Sequence, residues 1–264
     1  DGWLWVATNS GLCKIEPRNL TIQQIEMPEN KDTLDNDAVS PVAFDSKGMA
    51  WITGQFGIYK LHPQTNKIEY FFKTEIETLG WYGMLIDEQD RLWLMKEYLR
   101  RFDPVTKTLR LFRGINDTHP FGTFSVVKDQ YGDIWSGTWG EGVWKYNKEI
   151  DEFERYSTST SLAMMLLPDA TPTGRPFFWV GGGGSGLCIF YPDTKQAIDF
   201  VHDPKDPFTH NHYLATFMFK DTVSGDVWFG TEVGLEQYAP ATLRFGRAMI
   251  PPENDMGQFS LVSG

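Results

Sequence analysis

Cysteine is scarce in this 264-residue chain, at two residues, and no apolar run is long enough to cross a membrane as a helix. Two isolated thiols cannot build a thiolate zinc site, and they leave the redox compartment undecided. Basic residues are in deficit as well: 24 Lys and Arg stand against 35 Asp and Glu, a net charge of -11. A nucleic-acid partner needs a basic surface that displaces counterions, so this balance argues against one, while a neutral or sugar-like ligand stays compatible. There is no initiator Met and no signal peptide. The chain opens at Asp1-Gly2 inside a repeat, as expected of a domain excised from a longer protein, so compartment cannot be read from a targeting segment.

Catalytic signatures are missing too. No G-x-S-x-G, no H-E-x-x-H and no singled-out carboxylate pair occurs. The run Gly181 to Gly184 lacks the Lys and the following helix that a phosphate-cradling loop needs, and reads as a turn. Of five His, only His210 and His212 are clustered, and no carboxylate lies at metal-ligand spacing beside them. The expectation is no cofactor, no metal and no catalytic residue.

Aromatics are abundant: ten Trp, ten Tyr and nineteen Phe make up 15% of the chain, a composition that favours strands. The 25 Gly and 15 Pro supply many turns. The Trp residues are ordered. Trp5, Trp51, Trp93, Trp135, Trp179 and Trp228 recur about every 44 residues, a period that marks a repeat architecture. A Gly-aliphatic pair follows five to seven residues later: Gly11-Leu12, Gly57-Ile58, Gly142-Val143, Gly186-Leu187 and Gly234-Leu235, with Tyr98-Leu99 in the degenerate third copy. Asp45, Asp87, Asp129 and Asp221 recur at one turn, where Asp caps its own backbone, and are read as structural. Cys13 and Cys188 hold one repeat position in non-adjacent copies, too far apart for a disulfide, and are expected to be buried free thiols.

Each copy reads as four short strands joined by hairpin turns. In the second copy these are Ala38 to Phe44, Met49 to Thr53, Ile58 to Leu61 and Lys67 to Phe72. Four-stranded antiparallel units at this period are propeller blades, with the anchor indoles filling the space between them. The expectation is therefore an all-β, single-domain β-propeller over residues 1–264. The first copy lacks its first strand, and the last segment, Gly257 to Val262, would supply it by pairing beside Trp3 to Ala7, closing six blades. The alternative is six blades cut from a seven-bladed ring.

Candidate binding residues are those that break the repeat on the long, individual loops, since such loops on a rigid scaffold carry binding. They are Trp81, Tyr82, Trp139, Glu141, His210, His212, Gln55, Lys96, Asn36 and Asp37, with Glu97 beside them. Aromatic faces beside amides and carboxylates suit a sugar, whose ring face stacks and whose hydroxyls bond.

The repeat text, clearest as DQYGDIWSGTWGEGVWKYN and VSGDVWFGTEVGLEQYAP, resembles the two-component regulator propeller repeat. The linkers FVHDPKDPFTHNHYLA and ENKDTLDNDAV resemble that family's linkers, and the likeness covers essentially the whole chain. Departures are LMKEYL in the third repeat and the missing turn Asp near Gly174-Arg175-Pro176 in the fifth. The resemblance implies a periplasmic sensor module of a hybrid two-component regulator, recognising a glycan-derived small molecule or oligosaccharide, with no catalytic motif to carry over. It implies no nucleic-acid contact through this domain and no direct membrane insertion, and it allows a homodimer through the parent protein. Two other classes stand beside it: a protein-interaction scaffold, and a propeller lyase or hydrolase drawing on His210 or His212 with Glu141.

Overall fold

The computed structural model describes residues 2–8, 11–25, 42–54, 57–73, 83–95, 98–113, 122–156, 163–182, 186–200, 203, 205–206, 209–210, 215–231, 234–240, 244–249 and 260–262. Among them all regular structure is strand, arranged as six antiparallel sheets that follow one another along the chain. The fold class is that of a six-bladed β-propeller. Two compact units divide the chain, Asp1–Phe112 and Arg113–Gly264.

The first unit holds three sheets. Sheet 1 has β1 (Leu4–Thr8), β2 (Gly11–Glu16) and β3 (Thr21–Ile25). Sheet 2 has β4 (Ala43–Phe44), β5 (Ala50–Gly54), β6 (Gly57–His62) and β7 (Lys67–Lys73). Sheet 3 has β8 (Gly83–Ile86), β9 (Leu92–Met95), β10 (Leu99–Asp103) and β11 (Thr108–Leu111).

The second unit holds the other three. Sheet 4 has β12 (Thr123–Lys128), β13 (Ile134–Thr138), β14 (Val143–Asn147) and β15 (Glu152–Tyr156). Sheet 5 has β16 (Met165–Ala170), β17 (Pro176–Gly181), β18 (Leu187–Tyr191) and β19 (Gln196–Phe200). Sheet 6 has β20 (Ala215–Lys220), β21 (Val227–Thr231), β22 (Gly234–Ala239), β23 (Arg244–Met249) and β24 (Ser260–Val262).

Within each sheet every strand pairs antiparallel with the one before it in sequence, so every described pairing is between sequence neighbours. Turn chemistry supports this. In sheets 1 to 5 the turn before the last strand places one residue in the left-handed region: Leu20, Asn66, Lys107, Asp151 and Lys195, with φ between 54° and 58°. A non-glycine there costs about 1 kcal/mol or more, so the closing hairpin holds it in place.

One expectation is overturned. The C-terminal strand does not pair beside Trp3 to Ala7. β24 adds to the edge of β23, in the register Arg247↔Val262, Ala248↔Leu261 and Met249↔Ser260. Sheet 6 thus gains a fifth strand and sheet 1 keeps three. A neighbouring antiparallel strand closes a short loop, whereas pairing with β1 would close almost the whole chain at greater entropic cost.

Apolar clusters form between consecutive sheets within each unit, and the anchor indoles sit in them. Trp51 joins Ile58, Leu92, Leu94 and Phe102 between sheets 2 and 3. Trp135 joins Val143, Leu166, Phe178 and Phe190 between sheets 4 and 5. Trp179 joins Phe177, Met218, Phe229 and Phe245 between sheets 5 and 6. Trp93 is fully buried and stacks on Phe112, whereas Trp228 is half-buried. Burying an indole removes about 150–250 Å² from water.

The recurrent aspartates do more than cap turns. Asp45 Oδ1 accepts from the backbone N–H of Lys47 and Met49, and its Oδ2 accepts Trp51 Nε1–H at 3.0 Å. Asp87 does the same for Gln89, Arg91 and Trp93 Nε1, and Asp129 for Tyr131, Asp133 and Trp135 Nε1. One carboxylate thereby ties the turn to the core indole. In sheet 5 the carboxylate is present after all: Asp169, on β16, accepts Trp179 Nε1–H at 3.1 Å and also pairs with Lys220 of β20. Asp221 keeps only the turn role among its described bonds, accepting from Val223 and Ser224.

Across the hairpin from the first four anchors stands a second recurrent residue, a cation. Lys14 faces Trp5, Lys60 faces Trp51, Arg101 faces Trp93 and Lys145 faces Trp135 in register. Their cationic groups lie 5.5, 5.0, 5.4 and 5.1 Å from the ring centroids. Such contacts contribute about 0.5–1 kcal/mol each at half-exposed sites. Both cysteines are free; Cys188 is buried as expected, and Cys13 only half so.

Candidate functional site

Two of the described candidates, Trp139 and Glu141, lie at one end of sheet 4. The turn between β13 and β14 carries Trp139, Gly140, Glu141 and Gly142, with Gly140 and Gly142 at φ 87° and 75°. Two backbone bonds fix it: Thr138 N–H to Gly142 O at 3.1 Å, and Trp139 N–H to Gly122 O at 2.8 Å. The Thr138 hydroxyl also donates to Gly142 O, at 2.7 Å. The turn is rigid, yet the Trp139 indole it presents is 56% exposed.

Beside it lies Phe124, with ring centroids 5.5 Å apart and planes inclined by 36°. Phe124 sits in a β-bulge, since the register of β12 against β13 shifts between Thr123 and Ser125. A bulge re-aims a side chain relative to strict alternation. Two aromatic rings therefore form one apolar shelf at the end of the first strand. Glu141 stands half-buried two residues from Trp139, and its carbonyl accepts from Arg155 Nε at 2.9 Å. The shelf thus has a carboxylate and an exposed guanidinium within the same turn and its neighbouring strand.

Opposite this end, a polar groove of about 350 Å³ is lined by Asp133, Lys145, Tyr146, Asn147, Lys148, Glu149, Glu154 and Tyr156. Its charges bind one another. Lys145 Nζ reaches Asp133 at 2.8 Å, Lys148 Nζ reaches the same carboxylate at 3.5 Å, and Tyr146 bonds to Asp151. Burial alone would raise the Asp133 pKa, but the two lysines outweigh it and hold the carboxyl below its usual range. This network is a structural one.

His210 is placed differently from its expectation as a loop residue facing a ligand. It is 2% exposed, and its Nδ1 lies 2.6 Å from Glu236 Oε2 on β22, itself buried. Its ring also packs 5.8 Å from Phe245. The pair anchors the segment before β20 onto its own sheet. A histidine engaged this way is not at the surface with Glu141, where a lyase reading would need it. Trp81, Tyr82, His212, Gln55, Lys96, Glu97, Asn36 and Asp37 lie outside the described residues. Phe124 had no signal in the repeat pattern, because only the bulge turns it toward Trp139. Among the described residues, no group of His, Cys, Asp and Glu could hold a metal ion.

No family model matches the chain, and no curated protein does. Solved structures do. Two extracellular domains assigned to hybrid two-component systems of B. thetaiotaomicron superpose with TM-scores of 0.72 and 0.69, each at 18% identity. They cover 97% and 96% of this chain, which in turn spans 32% of each of them, about a third of their length. A streptogramin B lyase superposes with a TM-score of 0.69 at 14% identity, over 96% of this chain and 81% of its own. At these identities the likeness shows the fold, shared by these extracellular domains and by a lyase alike.

Proposed function

We propose that this chain is the ligand-sensing propeller module of a two-component signalling protein, working outside the inner membrane and binding a glycan-derived small molecule without transforming it. The observation that carries this reading is the open Trp139 indole, held by a rigid turn against Phe124. An exposed, pre-ordered aromatic shelf with a carboxylate and a guanidinium nearby offers stacking for a pyranose face and hydrogen bonds for its hydroxyls. The repeat text and the fold shared with extracellular domains of hybrid two-component systems support the sensing role. The engagement of His210 by Glu236 weighs against the lyase reading.

Signalling then follows from linkage. A bound sugar shifts an equilibrium between two arrangements of the parent protein only as far as its affinities for them differ. The test is a thermal-shift screen against mono- and oligosaccharides, followed by calorimetry on any hit. The expected result is a saturable ligand whose affinity falls about tenfold in Trp139→Ala, equivalent to losing one stacked ring. The unliganded Tm should be unchanged. Silence across the panel, or a ligand indifferent to Trp139→Ala, sinks the reading in favour of an interaction scaffold.

A further inference from the structure

Acidic residues outnumber basic ones by 35 to 24, and the described cations reflect it. Arg91 is taken by Asp87, Lys145 and Lys148 by Asp133, Arg175 by Asp193 and Lys220 by Asp169. Arg155, on β15 of the sheet that carries Trp139, is different. It is exposed, and its side-chain hydrogen bond runs from Nε–H to the Glu141 carbonyl, at 2.9 Å. Glu141 thus supplies a carbonyl and not its carboxylate, and no described carboxylate takes the two Nη groups.

The edge of the guanidinium that is used decides what is left over. Arg175 shows the side-on form, with Nε and Nη2 both on Asp193 at 2.9 Å. At Arg155 the Nε side is occupied by a carbonyl, so the end-on edge, Nη1 beside Nη2, stays open to solvent. The carbonyl is itself fixed: Gly140 and Gly142 flank Glu141 at φ 87° and 75°, and Thr138 holds the Gly142 carbonyl by its N–H and its hydroxyl. A guanidinium tethered at Nε presents a planar fork that matches a carboxylate, with less ordering left to do on binding. Neighbouring strands lie about 4.8 Å apart, so the stretch from Phe124 on β12 to the head of β14, where Arg155 meets Glu141, is about 10 Å. That is wider than one pyranose ring and suits two.

We infer that the saccharide taken by the Trp139 shelf is acidic: a hexuronate-containing oligosaccharide, with one ring stacked on Trp139 and the carboxylate of the adjoining residue in the Arg155 fork. This rests on the sugar-binding reading of the shelf and names the class of sugar. The net charge of -11 acts on such a ligand only weakly, because charges farther away than about 8 Å are screened at physiological salt. The fork, in contrast, meets its carboxylate at hydrogen-bond distance. A charge-assisted bond of this kind separates an acid from its neutral counterpart by about tenfold or more in affinity.

The experiment is calorimetry with hexuronate-containing disaccharides, each beside its methyl ester, which keeps the rings and removes the charge, and with neutral disaccharides. The acid form is expected to bind at least about tenfold more tightly than its ester. Arg155→Gln should bring that ratio to about one by weakening the acid form, at unchanged Tm, and Arg155→Lys, which keeps the charge without the fork, should restore only part of it. An ester or a neutral disaccharide that binds as well as the acid overturns the inference and leaves the sugar-sensing proposal standing. A preference that survives Arg155→Gln overturns it too. So does a loss in Arg155→Gln that strikes acid and ester equally, which would assign Arg155 to holding the turn. No binding by acid, ester or neutral sugar sinks both readings.

Discussion

Sheets 2 to 4 and sheets 5 to 6 hold their anchor indoles by different physics. In the former, each ring lies between a carboxylate on its N–H and a cation on its face: Asp45 and Lys60 for Trp51, Asp87 and Arg101 for Trp93, Asp129 and Lys145 for Trp135. In the latter, the cross-hairpin positions are Ile189 and Gln237. Trp179 instead meets Phe200, Phe229, Tyr238 and Phe177 with centroids 5.0–5.8 Å away. The carboxylate on the N–H is thus common to Trp51, Trp93, Trp135 and Trp179, where Asp169 supplies it. What differs is the ring face, which meets a cation across the hairpin in sheets 2 to 4 and an apolar residue and four rings at Trp179.

The sharpest way to break this comparison is to remove the indole N–H. Trp51→Phe leaves Asp45 Oδ2 buried without its donor, at an expected cost of about 1–3 kcal/mol beyond the lost volume. Trp179→Phe should cost less than that, because Asp169 keeps Lys220 and the ring keeps its aromatic neighbours. Urea unfolding of the two variants, with equal m-values, reads the difference; equal losses would mean the carboxylate contributes nothing. Next in size is the cation. Lys60→Met retains the apolar stem over Trp51 and removes the charge, and should cost about 0.5–1 kcal/mol in the same assay. A neutral result would assign Lys60 to packing alone.

The smallest effect is pH-dependent and belongs to the turns. Asp90 of sheet 3 accepts the Ser46 backbone N–H at 2.8 Å and the Ser46 hydroxyl at 2.7 Å, tying it to the turn of sheet 2. The Ser46 backbone bond, then its hydroxyl, hold the Asp90 carboxyl below its ordinary value. A folded pKa below the unfolded one gives stability that is present above the unfolded value, near pH 4, and lost as pH falls through the folded value. Asp90 is exposed, so screening limits the gain to a few tenths of a kcal/mol. Asp90→Asn should flatten the acid limb of the stability curve by that amount and leave neutral pH unaltered apart from the lost bonds; an unchanged acid limb counts against the link.

The repeat made much of this legible. Anchor Trp residues, Gly-aliphatic pairs and turn Asp residues recur in one order at nearly constant offsets, because hairpins of similar length put similar demands on three positions. The cations escaped the sequence reading: Lys14, Lys60, Arg101 and Lys145 share one hairpin register, but they stand eight to ten residues after their Trp, and a lysine on a strand normally signals no more than a solvated face. Other features depend on geometry that offsets do not encode. Phe124 faces Trp139 only through a one-residue register shift, and strict alternation would send it elsewhere. Asp169 is ten residues from Trp179 where its sisters are six from theirs, so a search for the turn motif passes over it. His210 on a polar loop gives no hint of Glu236 on β22, twenty-six residues away. The place of β24 was decided by loop length against pattern, and the pattern lost.

The aspartate clip has a consequence for how such chains change over time. Turn, carboxylate and indole in sheets 2, 3 and 4 lie within seven consecutive residues, so each copy brings its own fastening and can be duplicated, deleted or exchanged without rewiring a neighbour. Asp169 breaks that independence. By reaching Lys220 on the following sheet it welds two copies into one heritable cassette, and recombination between them would separate the carboxylate from its counter-ion.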